Sequence, residues 1–148
     1  MPIEIERKFL VKNLDFIKES SSKKLIEQGY LSKDPNRIVR VRIIDNKGVL
    51  TFKGKSFDGG TSRVEIEKEI SIKDANELMK LCIPSIIRKV RYIINKNNLV
   101  FEVDVFQEHN KGLIVAEVEL YSKKEKIIKP NWLGKEVTGE KKYYNSQL

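Results

Sequence analysis

The sequence contains very little cysteine or histidine, which removes several classes of chemistry at once. Of its 148 residues, Cys82 is the single cysteine and His109 the single histidine. One thiol excludes an internal disulfide and any zinc site built from several cysteines. One histidine, in the polar stretch 107–111, leaves no Ser/His/Asp or Cys/His set for nucleophilic catalysis.

Long apolar runs and targeting signals are also lacking. No apolar stretch approaches the ~18–20 residues of a membrane span, and the segment from Met1 to Lys8 lacks the charged-then-apolar order of a signal peptide. We therefore expect a cytoplasmic protein with no membrane partner. The length favours a single domain over residues 1–148.

Charge, by contrast, is abundant. Charged residues make up 34% of the chain and the formal net charge is +8, whereas an average globular protein has roughly 25% charged residues. A basic balance favours anionic partners such as nucleic acid, phosphates or acidic lipid. Net charge alone would favour nucleic acid as the partner. The arrangement of the charges along the chain is needed to choose among these anionic partners.

Charged and aliphatic residues alternate with a period of two, the pattern typical of β-strands. Glu4, Glu6 and Lys8 share one face of the first predicted strand, opposite Ile3 and Ile5. Like charges recur two residues apart in Glu4/Glu6, Arg40/Arg42, Glu65/Glu67, Lys89/Arg91, Glu102/Asp104 and Glu117/Glu119. Such side chains lie about 7 Å apart on one face of a strand, so they repel unless something neutralises them.

Few segments indicate helices. Ser71 begins a segment that resembles a capping box, and helical spacing follows until Pro84. Residues 13–24 are expected to form a helix, 130–144 short helical pieces, and 29–31 the start of a short strand. Turns at 45–48 and 95–98 are expected to join hairpins.

An antiparallel sheet with one wet face would also show this alternation. Here the polar faces carry almost only full charges, their signs cluster by strand, and the opposite faces are aliphatic. These features favour an α+β, mainly β fold: a closed antiparallel barrel with its charged faces inward and a few helices packed outside. Burying an unpaired charge costs several kcal/mol, so this interior needs water, ions or a ligand.

A metal–polyphosphate complex would neutralise both signs of charge. Clusters of carboxylate oxygens suit hard cations such as Mg²⁺ or Mn²⁺. Arginine binds phosphate oxygens through two N–H groups, and lysine binds them as a point charge.

The segment Glu4-Ile5-Glu6-Arg7-Lys8 is an E-x-E-x-K sequence at the start of the first predicted strand. Further motifs follow in order: Gln-Gly-Tyr-Leu at 28–31, Arg-x-Arg at 40–42, Thr-Phe-Lys at 51–53, Ser-Arg-x-Glu-x-Glu at 62–67, Arg-Lys-x-Arg-Tyr at 88–92, Phe-Glu-Val-Asp-Val-Phe at 101–106, Ala-Glu-Val-Glu-Leu at 116–120, Glu-Val-Thr at 136–138 and Lys-Lys-Tyr-Tyr-Asn at 141–145. With these motifs the chain resembles, over essentially its whole length, the CYTH family, also called triphosphate tunnel metalloenzymes. Motif order and length are most similar to the short bacterial triphosphatases of that family.

The resemblance implies an eight-stranded antiparallel barrel that forms a tunnel. It also implies metal-dependent hydrolysis of a triphosphate, with inorganic tripolyphosphate first and nucleoside or thiamine triphosphate as alternatives. The implied metal ligands are Glu4, Glu6, Glu102, Asp104, Glu117 and Glu119, with Mg²⁺ or Mn²⁺ as the cofactor. The triphosphate would be bound by Lys8, Arg40, Arg42, Lys53, Arg63, Lys89, Arg91 and Lys142. Catalytic roles would fall to Glu6, Lys8, Asp104 and Glu119, and Glu65 and Glu67 would be additional acids of the tunnel.

Two other functions stay open at this point. One is an adenylyl cyclase of the same family, which would need a nucleobase pocket. The other is a non-catalytic barrel that binds polyphosphate or nucleic acid. Nucleic acid is disfavoured because the carboxylate pairs would repel its backbone and the aromatic residues lie mostly on the aliphatic faces. The sequence leaves the number of metal ions and the oligomeric state open, with a homodimer as one option.

Overall fold

The computed structural model describes residues 3–148. These residues form nine strands: β1 Ile3–Val11, β2 Ser22–Ser32, β3 Arg37–Ile44, β4 Lys47–Gly54, β5 Ser62–Ile70, β6 Ile83–Lys96, β7 Leu99–Phe106, β8 Ile114–Glu119 and β9 Leu133–Glu136. The same residues form two α-helices, α1 Phe16–Glu19 and α2 Ile72–Leu81. Three 3₁₀ turns follow later in the chain, at Glu108–Asn110, Lys141–Tyr143 and Asn145–Gln147. In this part of the chain no helix has the length and apolar character needed to cross a membrane.

Eight of the strands close into the predicted antiparallel barrel. Their order around the barrel is β1-β5-β4-β3-β2-β6-β7-β8, and β8 returns to β1. The β1–β5 pairing covers only Ile3 to Ile5. Beyond it, the same edge of β1 pairs with β9 near Phe9 and Val11. Strand β9 is therefore an addition that the alternation pattern did not predict.

The helix predicted over residues 13–24 is wrong. Only Phe16–Glu19 is helical, and Ser20 ends this helix with its hydroxyl donating to the Ile17 carbonyl at 2.8 Å. Strand β2 then begins at Ser22 and pairs with both β3 and β6. Two ladders of backbone hydrogen bonds outweigh a weak local helix preference, and they extend the short strand expected at 29–31 to eleven residues.

The C-terminal region is only partly as expected. Residues predicted as helical pieces include strand β9, which pairs with β1, and the 3₁₀ turn at Lys141–Tyr143. Helix α2, in contrast, is confirmed. Its N-cap Ser71 accepts a hydrogen bond from the Asp74 backbone N–H at 3.0 Å.

The larger apolar cluster lies outside the barrel wall, on strand faces opposite the charged ones. Helix α2 covers β3 and β4, where a Cβ at Gly48 would lie 2.7 Å from the Cβ of Ala75. On another side, Trp132 packs edge-on against Phe16 and Phe101, within a cluster that includes Phe9. Burial of such aromatic side chains contributes about 1.5–3 kcal/mol each.

Candidate active site

The inward faces of the eight strands surround a cavity of about 310 Å³. Fourteen of the residues predicted as site residues line it: Glu4, Glu6, Lys8, Arg40, Arg42, Lys53, Arg63, Glu65, Glu67, Lys89, Arg91, Glu102, Glu117 and Glu119. They converge because residues at i and i+2 of each strand point to the same side of a closed sheet.

Strand β1 holds two acidic side chains that each meet a carboxyl group from a neighbouring strand. Glu4 hydrogen-bonds to Glu65 on β5, and Glu6 to Glu117 on β8. Burial, together with the nearby charge of Glu6, raises the pKa of Glu4 to about 9. Burial and the charge of Glu117 raise the pKa of Glu6 to about 7. Each pair therefore holds a proton that a bound cation would displace.

The partner carboxyl groups titrate in the opposite direction. Burial alone would raise the pKa of Glu65, but the hydrogen bond from Glu4 and the charge of Lys53 lower it to about 2. The same competition, with the charges of Lys8 and Arg91, places the pKa of Glu117 far below its ordinary value. Lys53 Nζ lies 3.1 Å from both Glu4 Oε1 and Glu65 Oε2, so it bridges the first pair.

Strand β3 contributes cations whose hydrogen-bonding capacity is not filled. Arg42 donates to Glu67 at 2.7 Å. The Nε atoms of Arg40 and Arg42 are buried and have no hydrogen-bond partner among residues 3–148. Burial and the like charges of Arg40 and Arg91 lower the pKa of Arg42 to about 10. An anion in the cavity would relieve this repulsion between the like charges.

Asp104 is buried on the inward face of β7, beneath the cavity lining, and holds the two cations of β6. Arg91 donates to both of its oxygens, at 2.7 and 2.9 Å, and Lys89 Nζ lies 2.7 Å from Oδ2. Lys89 is 2% exposed. Burial lowers its pKa to about 7 even though Asp104 opposes the shift. In this arrangement both oxygens of Asp104 accept hydrogen bonds from cations.

Arg63 and Lys142, the remaining two residues predicted to bind triphosphate, have contacts unlike those of the other cations. Arg63 lines the cavity, but its Nε donates to the Gly54 carbonyl at 3.1 Å. Lys142 is exposed, with its Nζ 5.1 Å from the ring centre of Tyr143. Lys142 is not among the residues that line the cavity; the C-terminal residues that do so are Tyr144, Asn145 and Ser146.

Tyr144, Asn145 and Ser146 were not predicted as site residues. The Lys-Lys-Tyr-Tyr-Asn motif at 141–145 pointed to this segment. Which of its side chains face the cavity depends on the 3₁₀ turns, which the sequence pattern did not specify. Tyr144 places its ring 4.9 Å from Lys8 Nζ, and Asn145 Oδ1 accepts a hydrogen bond from Lys89 Nζ at 2.6 Å. The sequence pattern also missed Lys24 and Tyr30, which line the cavity from β2.

One end of the barrel is filled by apolar side chains. Tyr30, Ile38, Ile87, Phe106 and Val115 form a buried cluster there, and Leu113 and Leu148 pack against it. Glu102 and Glu119 lie toward the opposite end. The pKa of Glu119 is raised by burial and by the charges of Glu65, Glu102 and Glu67.

The carboxyl groups fit a hard divalent cation that substrate helps to hold. Within the described residues, no group of three or more His, Cys, Asp or Glu side chains is arranged to hold a metal ion. The acids lie instead in the pairs Glu4/Glu65 and Glu6/Glu117. The raised pKa values of Glu4 and Glu6 show that negative charge is crowded at these pairs. Mg²⁺ typically binds through one or two carboxylates together with substrate phosphates and water. Paired carboxyl groups beside free arginine N–H groups match that mode.

Comparison with known proteins gives a consistent result. The family model described as CYTH domain matches residues 2–147. A protein named inorganic triphosphatase from Acetivibrio thermocellus is 43% identical over 146 residues, covering 98% of this chain and 92% of that protein. Another of that name from Nitrosomonas europaea is 34% identical over 148 residues, covering 98% and 95%.

Solved structures share the barrel. A crystal structure of an inorganic triphosphatase superposes with a TM-score of 0.67 and 30% identity, covering 97% of this chain and 95% of that one. A Hippeastrum protein, described as an adenylyl cyclase with a dominant triphosphatase activity, superposes with a TM-score of 0.61 over 82% of this chain and 80% of its own. At 16% identity, that second likeness is one of fold alone.

Proposed function

The chain belongs to the CYTH domain family, and from that premise we propose that it is a metal-dependent triphosphatase acting on inorganic triphosphate. The reaction adds water to a terminal phosphoryl group and breaks its phosphoanhydride bond, which yields orthophosphate and pyrophosphate. Two relatives that cover nearly the whole chain carry the name inorganic triphosphatase. Residues 1–148 would act as one domain.

The observation that carries this proposal is the convergence of unfilled cations and paired acids on one cavity. The buried Nε atoms of Arg40 and Arg42 lack acceptors among the residues described, and Glu4 and Glu6 hold protons beside their partner carboxylates. A phosphate chain with a divalent cation satisfies both requirements at once. A ligand of a single charge sign would leave one set of groups uncompensated.

Glu4, Glu6, Glu117 and Glu119 are the proposed ligands of Mg²⁺ or Mn²⁺, with Glu102 beside them. When bound, the cation would supply charge neutralisation at phosphate oxygens and a site that orients and acidifies water. Asp104 is proposed to act through Lys89 and Arg91, because its oxygens hold both cations in place. Glu65 and Glu67 would hold Lys53 and Arg42 in the same way.

The cations are proposed to bind the phosphate oxygens and to stabilise charge that develops in the transition state. Six cationic side chains line the same cavity: Lys8, Arg40, Arg42, Lys53, Lys89 and Arg91. Glu6 and Glu119 are direct neighbours across β1 and β8. We propose that they orient the attacking water, and that Lys8 stabilises the negative charge that develops on the departing oxygen.

A substrate panel tests the proposal directly. Orthophosphate release from tripolyphosphate, ATP and thiamine triphosphate would be measured with Mg²⁺, with Mn²⁺ and with EDTA. We expect metal-dependent release that is fastest from tripolyphosphate. Cyclic AMP and pyrophosphate from ATP would instead identify a cyclase, and RNA binding without hydrolysis would identify a binding barrel.

Removal of one carboxylate should separate catalysis from folding. Glu117→Gln is expected to lower kcat about 100-fold or more, because the Glu6/Glu117 pair loses one of the two carboxylates proposed to hold the cation. The fold should survive, since the substitution relieves repulsion between buried acids. Glu77→Gln is the matched control, because Glu77 is 66% exposed on α2. Wild-type turnover in Glu117→Gln would contradict the assignment.

A further inference from the structure

The C-terminal segment reaches into the cavity and touches two of its cations. We infer that Asn145 and Tyr144 are positioning residues of the active site: Asn145 aims the ammonium group of Lys89, and the Tyr144 ring aims that of Lys8. The inference rests on the proposed function, because it assigns a role to these contacts in triphosphate hydrolysis.

Asn145 fixes Lys89 through a buried, directional network. Its Oδ1 atom accepts hydrogen bonds from Lys89 Nζ at 2.6 Å and from Gln28 Nε2 at 2.9 Å. The Gln28 amide also lies 3.2 Å from the Tyr30 hydroxyl. Because Gln28 donates to Oδ1, the asparagine turns its oxygen rather than its NH₂ group toward Lys89.

The network leaves Lys89 one directed donor for substrate. An ammonium group has three N–H donors. Asn145 and Asp104 accept two of them, and no further acceptor contacts Nζ among the residues described. Lys89 lines the cavity. Its Nζ also lies 5.4 Å from the ring centre of Phe106. With two donors fixed by Asn145 and Asp104, we expect the third to be available to a phosphate chain bound in the cavity.

Tyr144 holds Lys8 by a different interaction. Its ring centre lies 4.9 Å from Lys8 Nζ, within the range of a cation–π contact. The phenol in turn lies close to the contact between Gly60 and Gly139, where a Cβ at Gly60 would meet the Tyr144 hydroxyl at 3.3 Å and the Gly139 Cα at 2.6 Å. The loop between β4 and β5 thus packs tightly against the segment that carries Tyr144.

A purely structural role makes a different prediction. If the segment only filled the end of the barrel, substitutions would lower activity in step with stability. Positioning instead predicts that loss of the acceptor or of the ring lowers turnover while substrate binding persists, because the other cations still hold the phosphates.

Paired substitutions at both residues provide the test. Asn145→Leu should lower kcat by about tenfold or more with little change in KM, and Asn145→Asp should recover most of that loss because it keeps the acceptor oxygen. Tyr144→Leu should lower kcat, and Tyr144→Phe should recover it because the ring remains. Gln147→Leu, an exposed position in the same 3₁₀ turn, is the matched control.

NMR of the Lys89 side chain tests the Asn145 contact independently of enzyme activity. In protein labelled with ¹⁵N-lysine, the Lys89 Nζ–H signal should be protected from exchange in wild type and Asn145→Asp and lost in Asn145→Leu. Folded Asn145→Leu with wild-type kcat and a protected Lys89 signal would overturn the inference. Absence of triphosphate hydrolysis by wild type would instead sink the proposed function, while the Lys89 signal would still report whether Asn145 holds Lys89.

Discussion

Protons and the proposed metal ion would compete for the same carboxyl oxygens along β1. Glu4 faces Glu65 and Glu6 faces Glu117, and each pair is held at hydrogen-bond distance. Burial and the negative charge of neighbouring acids both disfavour the ionised form of Glu4 and Glu6, and Lys53 opposes them only in part. The pKa of Glu4 is therefore raised to about 9 and that of Glu6 to about 7, so both groups tend to hold protons in the absence of a metal ion.

The stability of the metal-free protein should therefore fall between about pH 5 and pH 7. In this window the folded protein retains protons on Glu4 and Glu6 that the unfolded chain, with ordinary pKa values, has released. A raised folded pKa gives stability at low pH that is lost as the pH rises. Urea unfolding in EDTA at the two pH values measures the effect.

Other buried groups do not reverse that trend. Lys89, whose pKa is lowered to about 7, changes its contribution above the window, and Glu65 and Asp104 are ionised throughout it. Saturating Mg²⁺ should remove most of the pH dependence, and a Glu4→Gln/Glu6→Gln variant should lack it. Equal unfolding free energies of the metal-free protein at both pH values would refute the expectation.

Among the elements, β1 is unusual because one of its edges is shared by two strands. Ile3 to Ile5 pair with β5, whereas Phe9 and Val11 pair with β9. Between these pairings, the Glu6 N–H donates to the Thr61 carbonyl and the Val137 N–H to the Lys8 carbonyl. Two glycines with positive φ, Gly60 at 90° and Gly139 at 79°, close the junction.

Gly60→Ala should therefore disturb both stability and turnover. The new Cβ would combine an unfavourable positive φ with a 2.6 Å approach to the Gly139 backbone, at a cost of about 2 kcal/mol or more. Because Tyr144 lies at the same contact, kcat should fall as well. Urea unfolding and steady-state kinetics measure the two effects.

Gly59→Ala is the matched control for that substitution. Gly59 also has positive φ, 68°, but a Cβ there would meet nothing within 4 Å. It should cost roughly 1 kcal/mol and leave turnover unchanged. Equal effects of the two substitutions would mean that the Gly60–Gly139 contact has no role beyond backbone conformation.

Elements were predictable where local pattern and pairing agree. Helix α2 has a cap at Ser71 and helical spacing, and it forms where expected. Residues 13–24 lack comparable signals, and long-range pairing with β3 and β6 decided their structure. Strand β9 has only four residues, too few for alternation to be recognised.

For the molecule as a whole, the net charge lies outside the barrel. Counted by formal charge, the eight cationic side chains of the interior balance its eight acidic ones: Lys8, Lys24, Arg40, Arg42, Lys53, Arg63, Lys89 and Arg91 against Glu4, Glu6, Glu65, Glu67, Glu102, Asp104, Glu117 and Glu119. The formal charge of +8 therefore belongs to the outer surface. A positive exterior attracts anions toward the molecule before they meet the balanced interior.

The kcat/KM for triphosphate should consequently depend on salt. Raising KCl from about 0.05 to 0.3 M should lower kcat/KM severalfold by screening the outer charge, with a smaller effect on kcat. A Lys124→Glu/Lys126→Glu variant, at exposed positions, should show a lower kcat/KM and weaker salt dependence than a Lys124→Arg/Lys126→Arg control. A salt effect confined to kcat would contradict steering by the exterior.

The sequence by itself determined which side chains share a face, because alternation is a local property of the backbone. It thereby identified the charged interior, and the resemblance carried by its motifs identified the family. Only the tertiary structure decided which polar side chains meet: Glu4 with Glu65, Lys89 with Asn145, and Asp104 with Arg91. Such contacts depend on strand register, on barrel closure and on where the 3₁₀ turns place the C-terminal side chains, and these follow from interactions between residues far apart in the chain.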